Sequence, residues 1–94
     1  MNIQVRSVYP IANILSGRKI FVMLPEPSTL HGLLRELTKV YGQEFYEAVC
    51  NETGYLEDRV AVLINGTSAA VLGGASTQLK DGDDVLILPF TGGG

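Results

Sequence analysis

One stretch of this 94-residue sequence has the apolar spacing of a long helix, and strand-like segments lie on both sides of it. Its apolar residues recur every three or four positions, which places them on one side of a helix: Leu30, Leu33, Leu34, Leu37, Val40 and Tyr41. Ser28 or Thr29 can cap its N-terminus, and Gly42 suits its end. A helix with one apolar side must bury that side, so the sequence predicts a helix packed on a sheet.

The residues before this helix predict two strands. Ile3 and Val5 alternate with polar residues, and Pro10 ends the first strand. Residues 18–24 favour a second strand, with Ile20, Val22 and Leu24 on one face and Phe21 and Met23 on the other. Between them lies a short apolar cluster of Ile11, Ile14 and Leu15. Because the two strands are close in the chain, we expect antiparallel pairing.

The residues after the helix predict a second helix, a loop and a hairpin. Residues 43–50 suit a shorter helix, and residues 51–58 are polar and suit a loop. Residues 60–64 alternate again, and Asn65-Gly66 is typical of a two-residue hairpin turn. We expect the return strand at Val71-Leu72. The inward side chains of the shorter helix are expected to be Phe45, Ala48 and Val49.

The last predicted strand, at residues 85–88, is apolar on both faces and stops at Pro89. Strands buried on both faces lie inside a sheet, so we expect it at the centre, parallel to the first strand. The predicted fold class is therefore α+β, with a mixed four- to five-stranded sheet packed on one main helix. At this length we expect a single domain over residues 1–90 and a flexible glycine tail over 91–94.

Composition excludes several classes of function. Seven basic and ten acidic residues give a net charge of −3, which argues against nucleic-acid binding. One cysteine and one histidine rule out an internal disulfide and a zinc site of cysteines or clustered histidines. No apolar run approaches the roughly 18 residues that span a bilayer, and the N-terminus lacks the pattern of a signal peptide. We expect a soluble, cytoplasmic protein that does not act on membranes.

The tail Thr91-Gly92-Gly93-Gly94 is the principal candidate site. Glycine adds no side chain to a core and loses the most entropy on ordering, so the tail does not serve the fold. It is either a frayed terminus or a thin probe that can enter a narrow channel. In the second case its only reactive group is the terminal carboxylate, which needs conversion to an acyl-adenylate before a thiolate or amine can attack it.

The remaining candidates have simpler explanations. Cys50 ends a predicted helix and is expected to be a small buried hydrophobe. His31 is expected on the polar side of the main helix, solvated. Residues 73–77 lack the lysine and following helix of a phosphate loop, and residues 81–84 lack the spacing of a calcium loop and suit a solvated turn. The residues thus supply no self-sufficient active site.

Several motifs together resemble the MoaD/ThiS family of ubiquitin-like sulfur carriers. The motifs are Val62-Leu63-Ile64-Asn65-Gly66, Leu72-Gly73-Gly74, Leu79-Lys80-Asp81-Gly82-Asp83-Asp84-Val85, Leu88-Pro89 and the terminal Gly93-Gly94. The chain is most similar to the longer MoaD-type members, with an insertion here at about residues 43–58. The resemblance implies a β-grasp (ubiquitin-like) fold and a protein that is not itself an enzyme.

The resemblance also implies a function. An E1-like adenylyltransferase of the MoeB/ThiF type would use ATP to adenylate Gly94, and a sulfurtransferase or other sulfur donor would convert it to a thiocarboxylate. The chain itself would bind no cofactor. A synthase such as the large subunit of molybdopterin synthase would receive the sulfur. Gly93 would complete the terminal pair, and Phe90, Thr91 and Gly92 would lie along the partner's channel.

The resemblance leaves alternatives open. The bulky Phe90 replaces the small apolar residue of many MoaD-type tails, and it either marks a different receiving enzyme or folds back on the sheet edge. Some relatives are protein modifiers, which would join Gly94 to lysines. A plain β-grasp binding module with inert glycines is the third reading. Loss of function on deletion of Gly93 and Gly94 would separate a carrier from such a module.

Overall fold

The computed structural model describes residues 1–50 and 59–89. The strands are β1 (Asn2–Ser7), β2 (Lys19–Met23), β3 (Val60–Ile64), β4 (Thr67–Ser68) and β5 (Asp84–Pro89). The helices are α1 (Ile11–Ile14), α2 (Leu30–Tyr41), α3 (Gln43–Val49) and α4 (Ala69–Leu72), and a 3₁₀ turn covers Gly74–Ser76. The predicted loop at residues 51–58 lies outside the described residues.

The strands form one mixed sheet in the order β2-β1-β5-β3-β4. β1 pairs with β2 in antiparallel fashion and with β5 in parallel fashion, and β3 is antiparallel to both β5 and β4. The prediction of a central last strand beside the first is confirmed. It holds because Val85 and Ile87 face the helices with no exposed surface, while Leu86 and Leu88 of the opposite face are also partly covered.

The helices cover one face of the sheet and bury the core against it. The predicted helix is α2, and Thr29 rather than Ser28 caps it, since its Oγ1 accepts a hydrogen bond from the Gly32 amide at 3.2 Å. Gly42 separates α2 from α3 with φ of +81°, a conformation that favours glycine. The core side chains of these two helices are Leu30, Leu33, Leu34, Leu37, Phe45 and Val49.

Val40 was expected in the apolar stripe of α2, but it is 62% exposed. At 100° per residue it lies about 70° from the mean direction of the buried leucines and only about 20° from the buried Leu33, but it is in the last turn of the helix. The prediction that Val40 shares the buried stripe is therefore wrong, because the core ends before the last turn of the helix and the spacing of apolar residues does not show where it ends. Tyr41, nearer the middle of the stripe, is half-buried.

Two short segments differ from the predictions. The cluster at Ile11, Ile14 and Leu15 forms the short helix α1, with Ile11 and Leu15 in the core. The return strand is Thr67–Ser68 rather than Val71-Leu72, because Asn65 and Gly66 both have positive φ and reverse the chain within two residues. Val71 and Leu72 belong to α4 and are exposed.

Within residues 1–50 and 59–89, no helix has both the length and the apolar character needed to cross a bilayer.

Candidate functional site

β5 fixes the point from which the chain runs on to its last residues. Val60 of β3 pairs with Pro89, and Ser7 of β1 pairs with Ile87. Ser7 is buried, and its hydroxyl donates a hydrogen bond of 2.6 Å to the carbonyl of Ile87. Strands on both sides and a buried side-chain contact therefore hold the end of β5, so Pro89 has a defined position in the sheet.

The residues predicted for the site follow directly after Pro89. Phe90, Thr91, Gly92, Gly93 and Gly94 all lie outside the described residues. Their roles, including both readings of Phe90, stay predictions.

The sheet face opposite the helices has an apolar patch beside the end of β5. Register places Ala61 next to Leu88 and Leu63 next to Leu86, on the same face, and all four side chains are half-buried. We call these four residues the open-face patch. The sequence alone does not identify these four residues, because it does not give the register between β3 and β5.

Two exposed apolar side chains lie at the same end of the sheet. Val8 and Tyr9 follow β1, which runs parallel to β5, and they are 43% and 74% exposed. Sequence reasoning missed them as part of the site. The sequence does carry a signal for them, because an apolar pair directly follows the first strand and that strand is predicted to run parallel to the strand at residues 85–88.

A polar cluster bounds the open face toward β2. The Arg6 guanidinium donates two hydrogen bonds to the Asp84 carboxylate, at 2.8 and 2.7 Å, and Gln4 Nε2 donates a third at 2.7 Å. These contacts lower the pKa of Asp84, chiefly through the hydrogen bond from Arg6 and less through Gln4 and the charges of Arg6 and Lys19. The same pairing raises the pKa of Arg6.

The lowered pKa of Asp84 predicts a pH dependence of stability. A carboxylate whose folded pKa lies below its unfolded value stabilises the fold above about pH 4, and the contribution is lost as pH falls through the folded pKa. We expect Asp84→Asn to lower the urea midpoint at pH 7. At a pH low enough to protonate Asp84 in the unmodified protein, the two proteins should have the same midpoint. Glu26→Gln, at an exposed position, is the control. An unchanged midpoint at pH 7 would contradict the stabilising role of the pair.

The turn before β5 is exposed at Asp81 and Gly82, as expected, but the prediction is wrong for Asp83, which is buried. Asp83 is only 9% exposed, and its carboxylate accepts hydrogen bonds from Asn65 Nδ2 at 2.9 Å and from the Lys80 amide at 2.7 Å. Asn65 Oδ1 in turn accepts from the Asp84 amide at 2.9 Å. These contacts tie the β3–β4 turn to the start of β5. The polar residues of these two turns therefore hold the start of the central strand in place.

The structure places the cysteine in the core and the histidine beside a groove. Cys50 is 5% exposed, as expected, and burial raises the pKa of its thiol, with Thr38 acting in the opposite direction. A raised pKa disfavours the nucleophilic thiolate. His31 is half-buried beside a groove along α2, not solvated as expected. In the described part of the chain, no three His, Cys, Asp or Glu side chains come together as metal ligands would.

Comparison with known proteins places this architecture. The ThiS family model matches residues 12–94. A protein of Haloferax volcanii named small archaeal modifier protein 3 is 28% identical over 94 residues, the whole of both chains. A protein of Archaeoglobus fulgidus named as a sulfur carrier is 28% identical over 69 residues, covering 73% of this chain and 77% of its own. The solution structure of Urm1 from Trypanosoma brucei matches with a TM-score of 0.82 at 27% identity, over 99% of this chain and 95% of its own.

Proposed function

The chain belongs to the ThiS family, and from that premise we propose that it is a sulfur carrier whose reactive group is the carboxylate of Gly94. The observation that carries the proposal is the anchoring of β5. The strand that leads to the glycines is the central one, held by β1 and β3. The fold is the ubiquitin-like β-grasp that it shares with its structural relatives, as predicted. Members of this family are carriers and modifiers, and we infer that the chemistry here comes from partner enzymes.

The chemistry begins at an unreactive group. A carboxylate at neutral pH is a poor electrophile, so an E1-like adenylyltransferase joins the Gly94 carboxylate to the α-phosphate of ATP and releases pyrophosphate. The resulting acyl-adenylate has AMP as its leaving group. A sulfur nucleophile then attacks the carbonyl and AMP departs. Glycine at the last two positions keeps this carbonyl free of side-chain crowding.

The open-face patch supports a docking role for the sheet. Its four side chains are only partly covered by the described residues, and the exposed Val8 and Tyr9 follow β1 at the end of the sheet where β5 stops. The fully buried centre of a protein interface is more apolar than the rest of a protein surface, which such a patch suits. We propose that the activating enzyme docks here while the glycine tail enters its catalytic channel.

A charge placed on the open-face patch tests this docking role. We expect Leu88→Asp to lower kcat/KM for adenylation about tenfold or more, because the carboxylate would be desolvated in the interface without a partner. The control is Val71→Asp on α4, where the side chain is 80% exposed. Steady-state pyrophosphate release measures the rate, and circular dichroism checks that both variants fold. Equal rates for the two variants would remove the patch from the docking surface.

A protein modifier is the second candidate, favoured by the name of the Haloferax volcanii relative. It shares the adenylation step, but a lysine amine of a target protein replaces the sulfur nucleophile. Trypsin cleaves after Lys80, the last basic residue, so a modified lysine would carry residues 81–94. Peptides with this branch in digests of native cells would identify conjugation.

The test of the carrier function is the intact mass of protein purified from its native cells. We expect a species heavier by the replacement of one oxygen with sulfur, and fragmentation should place the change at Gly94. A mass that never shows this replacement, together with branched lysine peptides, would favour the modifier. If neither the sulfur-containing species nor the branched peptides are found, the chain is best explained as a binding module with inert glycines. We propose the cytoplasm as the compartment, where the ATP and sulfur donors of this chemistry are found.

The receiving enzyme is proposed to be a synthase such as the large subunit of molybdopterin synthase. When mixed with that subunit and the precursor of molybdopterin, the thiocarboxylated form should transfer its sulfur to the precursor. The form with an unmodified carboxylate should not. This assay also shows whether Phe90, with its larger side chain, is compatible with that channel.

A further inference from the structure

β2 forms an outer edge of the sheet whose backbone is only half used. Ser7 donates from its amide to the carbonyl of Arg18, and Leu24 donates to the carbonyl of Met1, both at 2.9 Å. In an antiparallel ladder every second residue turns its N–H and C=O toward the neighbouring strand. The even-numbered residues of β2 therefore bond to β1.

The alternate residues of β2 point the other way. Lys19, Phe21 and Met23 direct their N–H and C=O groups away from β1, and no described strand pairs with that side. The opposite edge of the sheet is β4, which has only two residues. Among the described strands, β2 thus offers the one edge long enough to accept another strand.

The side chains on this edge are unusually apolar. Phe21 is 63% and Met23 is 71% exposed, and both lie on the sheet face opposite the helices. Natural edge strands are normally protected by charges, prolines or bulges. β2 has one lysine and no proline, so its apolar half is unprotected. Gln4 and Arg6 of β1 separate this edge from the open-face patch.

The charge at the start of β2 indicates what chemistry fits the edge. Arg18 and Lys19 are both exposed, and within residues 1–50 and 59–89 neither is in an ion pair. Lys19 stands across from Arg6, and the one carboxylate near them, Asp84, is already in an ion pair with Arg6 while it also senses the charge of Lys19. The edge therefore presents apolar side chains at one end and, at the other, two exposed cations without an ion-pair partner of their own.

We propose that β2 is a docking strand for an extended peptide segment of a partner protein. The peptide adds to the sheet in antiparallel orientation, places apolar side chains over Phe21 and Met23, and ends in acidic residues beside Arg18 and Lys19. A second copy of the chain fits less well, because β2 against β2 would leave both pairs of cations unmatched.

The probe is the peptide acetyl-Thr-Val-Thr-Val-Thr-Asp-Asp-amide added to the ¹⁵N-labelled full chain. In the free protein the amides of Ile20 and Val22 should exchange slowly and those of Lys19, Phe21 and Met23 quickly. At saturation we expect the latter three to slow about tenfold or more. A matched peptide ending in Lys-Lys should bind about threefold more weakly or worse.

A pair of protein variants completes the test. Phe21→Thr keeps the amide and the strand preference but removes the apolar contact, and it should weaken binding, whereas Val71→Thr on α4 should not. The proposal would be overturned if the peptide changed mainly the amide chemical shifts around Leu63 and Leu88. It would also be overturned if millimolar peptide did not slow amide exchange in β2. Protection that rises with protein concentration without peptide would also overturn it, by assigning the edge to a second copy.

Discussion

Removal of Gly93 and Gly94 is expected to abolish sulfur transfer and to leave the unfolding midpoint of the protein unchanged. The two effects separate because they rest on different parts of the chain. The proposed reactive group is the carboxyl of Gly94, whereas the core is built from side chains between Ile3 and Ile87. A truncated chain still ends in a carboxylate on glycine, at Gly92, but that group falls two residues short of the partner's catalytic centre.

Thiocarboxylate formation with purified activating enzyme, ATP and sulfide measures this loss, with thermal unfolding measured on the same samples. The matched control has the full tail but a C-terminal amide, which blocks adenylation without shortening the chain. Both forms should give no thiocarboxylate. Activity in the truncated form would show that another group than the Gly94 carboxyl reacts, and a lowered midpoint would show that the tail contributes to the fold.

The elements that could be predicted from the sequence are those whose pattern has one structural solution. A strand apolar on both faces, such as residues 85–88, fits only the inside of a sheet. Asn65-Gly66 fits a tight turn because both residues tolerate positive φ, and the structure confirms it with φ of 51° and 86°. In each case the local chemistry and the tertiary position agree.

The predictions that failed concern residues whose state depends on distant parts of the chain. Asp83 looks like any turn carboxylate in sequence, and its burial involves Asn65, 18 positions earlier, which donates a hydrogen bond to its carboxylate in addition to the local one from the Lys80 amide. Val71 and Leu72 have strand preference, but the tight turn had already placed the return strand at Thr67–Ser68. The open-face patch likewise exists only through the register of β3 and β5. Such facts follow from packing, not from spacing.

Leu37 and Val40 of α2 turn this distinction into a measurement. Both belong to the apolar stripe that the sequence predicts, three residues apart on one helix, but Leu37 is 1% exposed and Val40 is 62% exposed. We expect Leu37→Ala to lower the free energy of unfolding by about 2–5 kcal/mol, from lost burial and the cavity left behind. Against a total stability of about 5–15 kcal/mol for a domain, this is a large fraction.

Val40→Ala is the matched control, and its effect on the free energy of unfolding should be within about 0.5 kcal/mol. Little buried surface is lost there, and alanine has the higher helix preference, so the change can even stabilise. Urea unfolding of both variants at pH 7 gives the comparison. Because alanine replaces both side chains on the same helix, a difference between the two losses reports how deeply each side chain is buried in the core. Equal losses would mean that the core extends to the last turn of α2, which would restore the full apolar stripe that the sequence predicts.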